Sequence, residues 1–393
     1  MTTKACIASA LVCSLICSFL CASSYRKKYL KGNITDKVQA VKEAAASSDN
    51  IFIGEALDFA VATHDEIGDD KELDQLLESS VRSLDIKVLP PDKKEKASRN
   101  LGKAFQTFSS RSVRSCILDS FAAGLSPENL ETVNSFVAAR AQDEADNPGK
   151  DTMDSLVEKS LGILQKHGNR VSFNIMFIAD LMDVWSSHRE LLEASFASLA
   201  ASAENEILKI ADSAGVPQRL KILSIIGSNV GISKKIKGKV AEKLLSDQIT
   251  SARDDKGVFA SKEDALLYAQ SVSLAASCRW TRSAQDIADS FAIASKSYAW
   301  GLLDTDRFCT LIADMAQVSC PDTGRFLSHY LDSLNNDMKS GAVPEEAVVL
   351  SVIKALGGLG DKAAFDYLLS VTYLDYPSDV TDAARLALAK LKW

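Results

Sequence analysis

Proline and glycine are scarce in this chain: 8 and 19 among 393 residues. A sandwich or barrel of many short strands needs turn residues every ten or so positions, so that architecture is excluded. Aromatic residues make up only 7%. The spacings that carry chemistry are also missing. There is no C-x-x-C, no H-E-x-x-H and no G-x-S-x-G. A zinc ribbon, a metal-binding helix and a nucleophile elbow therefore have no candidates. Gly357-Gly358-Leu359-Gly360 is glycine-rich but lacks a following Lys-Ser or Lys-Thr, and it follows a helical pattern. It reads as a helix end, not a phosphate cradle. His64, His167, His188 and His329 are scattered without i, i+4 partners and read as ordinary surface histidines. No catalytic residue, metal ligand or cofactor is nominated.

A net charge of −7 sets the average surface against a phosphate polyanion, so nucleic acid is not an expected partner. Hydrophobic residues at 46% and charged residues at 25% are normal for a packed soluble protein. Alanine and leucine are abundant, which favours helices.

The N-terminus differs from the rest. Lys4 precedes twenty uncharged residues, Ala5 to Ser24, and Arg26, Lys27, Lys28 and Lys31 follow them. As a secretory signal, Ile7 to Cys21 is the apolar core, with cleavage before Tyr25. As a retained anchor, twenty helical residues span roughly 30 Å, the thickness of a bilayer's hydrocarbon. Residues 1–24 are thus read as a signal peptide or membrane anchor, and the protein as exported to the cell envelope, cleaved or anchored. The basic cluster supports an alternative, a membrane-anchored body facing the cytoplasm. A lipidated form, at Cys17 or Cys21, is a further reading, although Ile16 and Leu20 stand where the usual motif wants a small residue. In the body, Cys116, Cys278, Cys309 and Cys320 read as small apolar side chains. Cys278 with Cys320 is the one pair whose helix ends could meet.

Helical periodicity runs through almost all of the remainder. Ile53, Ala56, Leu57, Ala60 and Val61 share a face, as do Leu73, Leu76, Leu77, Val81 and Leu84. Near the end, Val349, Val352, Ile353 and Leu356 form a stripe, followed by Phe365, Leu368 and Leu369. A last helix after Pro377 turns Val380, Ala383, Ala384, Ala387, Leu388 and Leu391 inward. Gly68-Asp69 through Leu76-Leu77 aligns with Gly360-Asp361 through Leu368-Leu369 as G-D-x-x-x-[LF]-D-x-L-L. Glycine can end one helix in the left-handed conformation, and aspartate can cap the next.

On these residues the chain resembles the HEAT-like helical-repeat proteins, in particular divergent ones of bacterial envelopes. The resemblance implies an all-α solenoid of stacked antiparallel helix pairs behind the apolar segment. It implies binding surfaces along one side and carries over no catalytic residues. About sixteen helices, or eight pairs of roughly 45 residues, fit the span from Asn33. The breaks at Leu89-Pro90-Pro91-Asp92 and Ala145-Asp146-Asn147-Pro148-Gly149 divide this span. They give an N-terminal repeat unit (33–89), a middle helical part (92–146) and a C-terminal array (150–393).

Two surface features suggest partners. Ser233 to Lys239, with Lys243, is the most basic stretch of the body; it suits anionic lipid headgroups or an acidic partner, and reads first as a solvated helix face. Arg279, Trp280 and Arg282 lie at a turn between helices, and Trp300 closes the next one. Tryptophan and arginine are the residues most enriched at binding hot spots, so these four are the partner-binding candidates; the plainer reading puts Trp280 and Trp300 in the core and leaves the arginines solvated. The expectation is a non-enzymatic interaction scaffold that binds a protein or peptide and meets a membrane through its N-terminal segment. The alternatives are an enzyme built on a helical-repeat scaffold and a self-assembling structural protein.

Overall fold

The computed structural model describes residues 24–147, 154–254 and 257–392, so the apolar stretch up to residue 23 lies outside the described residues. Every regular element described is helical, and an isolated bridge between Asp361 and Lys392 is the nearest approach to a strand. The chain divides into two compact units, Met1–Leu199 and Ala200–Trp393. Both proline-marked breaks lie inside the first.

In the first unit, α1 covers residues 24–31. It is followed by α2 (Ile34–Ala46), α3 (Asn50–Ile67), α4 (Lys71–Ser83), α5 (Pro91–Thr107) and α6 (Arg111–Ala123). Then come α7 (Pro127–Asp146), α8 (Ser155–His167), α9 (Arg170–Leu181) and α10 (Arg189–Ala197). Polar caps start several of them. Asn33 and Asp36 form a reciprocal capping box on α2, and Asp70 accepts the Glu72 and Leu73 amides of α4. Proline opens α5 and α7, where a missing N–H costs nothing.

Packing follows one rule. The even helices α2, α4, α6, α8 and α10 contact each other in succession, and so do α3, α5, α7 and α9. Short turns join the two rows. The stripes read from the sequence are what the rows enclose: Ile53, Ala56, Leu57, Ala60, Leu73, Leu76 and Leu77 are fully buried. Each such leucine or isoleucine contributes about 2 kcal/mol by leaving water.

The second unit repeats the rule with α11 (Glu204–Ser213), α12 (Val216–Ser228), α13 (Lys234–Asp254), α14 (Lys262–Cys278), α15 (Ala284–Asp289) and α16 (Phe291–Ala299). It ends with α17 (Thr305–Gln317), α18 (Thr323–Lys339), α19 (Glu346–Leu359), α20 (Phe365–Val371) and α21 (Ser378–Leu388). One row runs α12, α14, α17, α19, α21; facing it, α18 contacts both α15 and α20. Helices within a row are parallel. Ser351 donates to the Cys309 carbonyl at a similar depth into α19 and α17, which α18 joins by a turn at each end, and Gly357 meets Ala387 at the far ends of α19 and α21. The starts of α17, α19 and α21 therefore share one edge of this unit. The α14–α15 turn lies at the other edge, where Gln285 reaches Asp322 at 3.2 Å.

Polar cross-links recur at similar sequence separations. Asn100 to Asp58 spans 42 residues, Lys159 to Ser115 spans 44, Ser273 to Asp314 spans 41 and Ser351 to Cys309 spans 42.

The aligned G-D turns are not equivalent. Gly68 and Gly360 both have positive φ, 73° and 69°. Asp361 caps a 3-10 turn through the Ala363 amide, whereas Asp70, not Asp69, caps α4. Asp69 instead accepts from the Ser109 amide at 3.2 Å and hydroxyl at 2.5 Å, with His64 Nε2 at 3.2 Å. Hydrogen bonding from Ser109 and then His64 pulls its carboxyl down to about 2. A depressed folded-state pKa stabilises above the unfolded value, about 3.9, and that contribution disappears as pH falls through the folded one. Asp69→Ala is therefore expected to lower stability at pH 5–6, with the difference from wild type vanishing near pH 2. Urea unfolding across that range checks it.

The four described cysteines are unbonded, with Cys116 buried and Cys278, Cys309 and Cys320 half-buried. Burial pushes the Cys116 thiol up to about 11, so it is an inert packing group.

Candidate functional site

The α14–α15 turn builds the most developed surface feature of the second unit. Arg279 ends α14 in the left-handed conformation (φ 55°, ψ 48°), and the amides of Arg279 and Trp280 donate back to Ala276 and Ala275 at 2.9 Å. This reversal directs the Trp280 side chain onto α13. Its indole lies flat on Gly238, where an added Cβ would stand 2.4 Å from the ring. Trp280 Nε1 donates to Glu242 Oε2 at 2.7 Å. Arg282 reaches the other oxygen of the same carboxylate at 3.4 Å, with its guanidinium 5.8 Å from the indole centroid. Trp280 is half-buried and Arg282 is exposed.

Beside this corner runs an open groove of about 610 Å³. Leu208, Lys209 and Asp212 of α11 form one wall; Lys239, Glu242 and Lys243 of α13, with Arg282, form the other. The basic stretch of α13 is largely compensated. Lys239 pairs with Glu204, and Lys243 bridges Asp212 and Asp247 at 2.8 Å each. Lys237 donates to the Gly227 carbonyl at 2.8 Å. Hydrogen bonds that Lys243 donates to Asp212 and Asp247 raise its pKa, and Lys243 lowers that of Asp212. Both groups therefore act as fixed charges at neutral pH. The groove offers charges of both signs, with Leu208 as an apolar side chain in its α11 wall, a surface suited to recognising a segment of complementary polarity.

Of the four partner-binding candidates, the structure brings Trp280 and Arg282 together. Arg279 is exposed at the same turn and shapes it through its backbone. Trp300 does not join them. It caps the C-terminal end of α16, is 61% exposed and has Lys296 Nζ 5.7 Å from its ring. The two helices α15 and α16 lie between the two turns, which stand at opposite edges of this unit. Nothing in the sequence ties Gly238, Glu242 or the α11 wall to Trp280. An isolated glycine inside a helical pattern was the available signal, since such a residue usually admits close packing.

Other features of the first unit are shallower in chemistry. Lys87, Lys94, Ser98 and Asn129 border a cavity of about 270 Å³, and Ala141, Ile178 and Met182 border an apolar one of about 250 Å³. Among the described residues, no cluster of His, Cys, Asp and Glu is placed to hold a metal, and no helix is long and apolar enough to cross a membrane.

Comparison with known proteins finds no matching family model, no similar curated protein and no similar solved structure.

Proposed function

We propose that this chain is a non-enzymatic interaction scaffold of the HEAT-like, α-solenoid kind, working at a cell envelope and receiving a protein segment in the groove between α11 and α13. The Trp280–Glu242–Arg282 corner carries the reading. An indole and a guanidinium are held on one carboxylate at the wall of an open groove, so little side-chain freedom remains to be lost on binding. The repeated polar links 41–44 residues apart support a stacked-hairpin origin, because neighbouring repeats place equivalent positions one period apart. The envelope assignment rests on the uncharged stretch from Ala5 to Ser24. Tyr25 and Tyr29, just after it, already pack on Phe52, and Tyr25 donates to Asp49 at 2.7 Å. A membrane-held stretch would thus keep the first unit close to the bilayer.

Pull-down from membranes with the full chain should recover a specific protein. Retention should fall at least tenfold in Trp280→Ala with Arg282→Ala, the loss expected when two hot-spot residues are removed. Arg282→Ala alone, at a 68% exposed side chain, and Lys209→Glu keep the test independent of folding. Unchanged retention in all three would remove the groove from consideration.

A further inference from the structure

The edge of the second unit where α17, α19 and α21 begin carries three of its large exposed apolar side chains. Trp300 is 61% exposed, Val343 81% and Tyr373 81%. Each occupies a separate turn, α16–α17, α18–α19 and α20–α21, in consecutive order along the edge. Single exposed apolar residues are normal on a protein surface. A row of three, one per hairpin, is a surface with its own spacing.

The turns hold these side chains out on fixed backbone. After Trp300, the Gly301 and Leu302 amides donate to Tyr298 and Ser297 at 2.8 and 3.0 Å. Before Val343, the Gly341 and Ala342 amides donate in the same manner to Met338 and Asp337 at 3.1 and 3.0 Å. Gly301 and Gly341 supply the positive φ, 73° and 88°, that both turns require. The Tyr373 amide donates to Ser370 at 3.1 Å.

Charge around the row has one dominant sign. The exposed carboxylates of the three turns and the helix starts beyond them are Asp304, Asp306, Glu345, Glu346, Asp375 and Asp379. The same segments, 296–307, 339–346 and 372–379, hold three cations, Lys296, Lys339 and Arg307, and Arg307 is bound to Asp304 at 2.7 Å. The acids sit in or next to first helical turns, where negative charge complements the positive end of the helix dipole. An anionic lipid surface or a nucleic acid is repelled by such an edge.

We propose that this edge docks an extended, cationic segment of a partner protein, with apolar side chains at every third position and lysine or arginine between them. Packed helices stand about 8–10 Å apart, which sets the step from one turn to the next. An extended polyproline-type chain repeats a face every three residues, about 9.3 Å, so its apolar groups match the row in register. Its cations then lie over the carboxylates. The surface is distinct from the Trp280 groove, which opens beside the opposite edge.

The test is binding of short fluorescent peptides to the full chain, by anisotropy at low salt. A peptide repeating Leu-Pro-Lys should bind. One repeating Ser-Pro-Lys should bind at least about tenfold more weakly, and one repeating Leu-Pro-Glu not at all. The variant Trp300→Ser, Val343→Ser, Tyr373→Ser should bring Leu-Pro-Lys to the level of Ser-Pro-Lys, with the melting temperature little changed because all three sites are exposed. Arg282→Ala should leave the peptide affinity as it is. The proposal is overturned if the triple variant binds Leu-Pro-Lys as wild type does. Equal affinity for the leucine and serine peptides, or no Leu-Pro-Lys binding at about 1 mM, overturns it equally.

Discussion

Phe308→Ala is expected to lower the stability of the second unit by about 3–5 kcal/mol, the range for deleting a fully buried phenylalanine. Phe308 is 0% exposed near the start of α17 and sits among three other rings. Tyr298 stacks on it at 4.4 Å and 7°, Phe291 stacks at 6.0 Å, and Tyr330 meets its edge at 5.8 Å. The cluster joins α16, α17 and α18, so truncation removes contacts on three helices at once. Collapse into the cavity is opposed, because flat rings fixed on separate helices cannot follow a single vacancy. Burial pushes the Tyr330 hydroxyl far above its usual range, which fits a dry surrounding. Denaturant unfolding should show a lower midpoint for the second unit with an unchanged slope. A loss below about 1 kcal/mol would mean that the cluster repacks and that the row is less rigid than its geometry implies.

Much of this core was legible because the amphipathic stripes are regular. Ile53 to Val61, Leu73 to Val81 and Val349 to Leu356 are buried as their spacing requires. The legibility fails where helices change type. Of the apolar residues that follow that stripe, Leu368 is buried, but Phe365 and Leu369 are only half-buried, while Ala364 is buried. The 3-10 turn at Lys362–Ala364 advances at three residues per turn, not 3.6, so α20 starts out of phase with the pattern read from its sequence. Ala383 and Leu388 are likewise half-buried at the margins of their stripe.

Helix number was underestimated for a related reason. About sixteen were expected from Asn33 onward, and twenty α-helices are described there. Residues 284–299 read as one periodic run, but the helix breaks at Ser290. That buried hydroxyl bonds back to the Asp286 carbonyl at 2.7 Å and meets Tyr268 Oη at 2.8 Å. Such back-bonding bends a helix, and nothing in hydrophobic spacing reports it. The Leu181–Arg189 connection was equally opaque, with Asp183 and Trp185 both at positive φ and Trp185 buried. At the groove, Trp280 and Arg282 could be nominated by residue type. Their shared carboxylate on α13, 38 residues away for Trp280, depends on how two rows pack, and one sequence does not encode that visibly.

The same packing makes the sign of one substitution depend on another. Taken alone, Gly238→Ala lies inside α13, where alanine is favoured over glycine by about 0.5–1 kcal/mol. Trp280 opposes that gain. The new methyl would stand 2.4 Å from two atoms of the indole and 2.8 Å from a third. The ring cannot simply rotate away, because its nitrogen is tied to Glu242 at 2.7 Å and its backbone is fixed by the turn after α14. Overpacking of this kind costs about 1–3 kcal/mol, so the clash outweighs the propensity and the single variant should be destabilised by about 1–2 kcal/mol. In a Trp280→Ala background the three ring atoms that the methyl would strike are gone, and the identical change should become neutral or stabilising by up to about 1 kcal/mol. The reversal is measured by urea unfolding of the four proteins in a double-mutant cycle. If Gly238→Ala has the same effect with and without the indole, Trp280 does not rest on α13, and the corner that holds Arg282 at the groove wall is not formed as described.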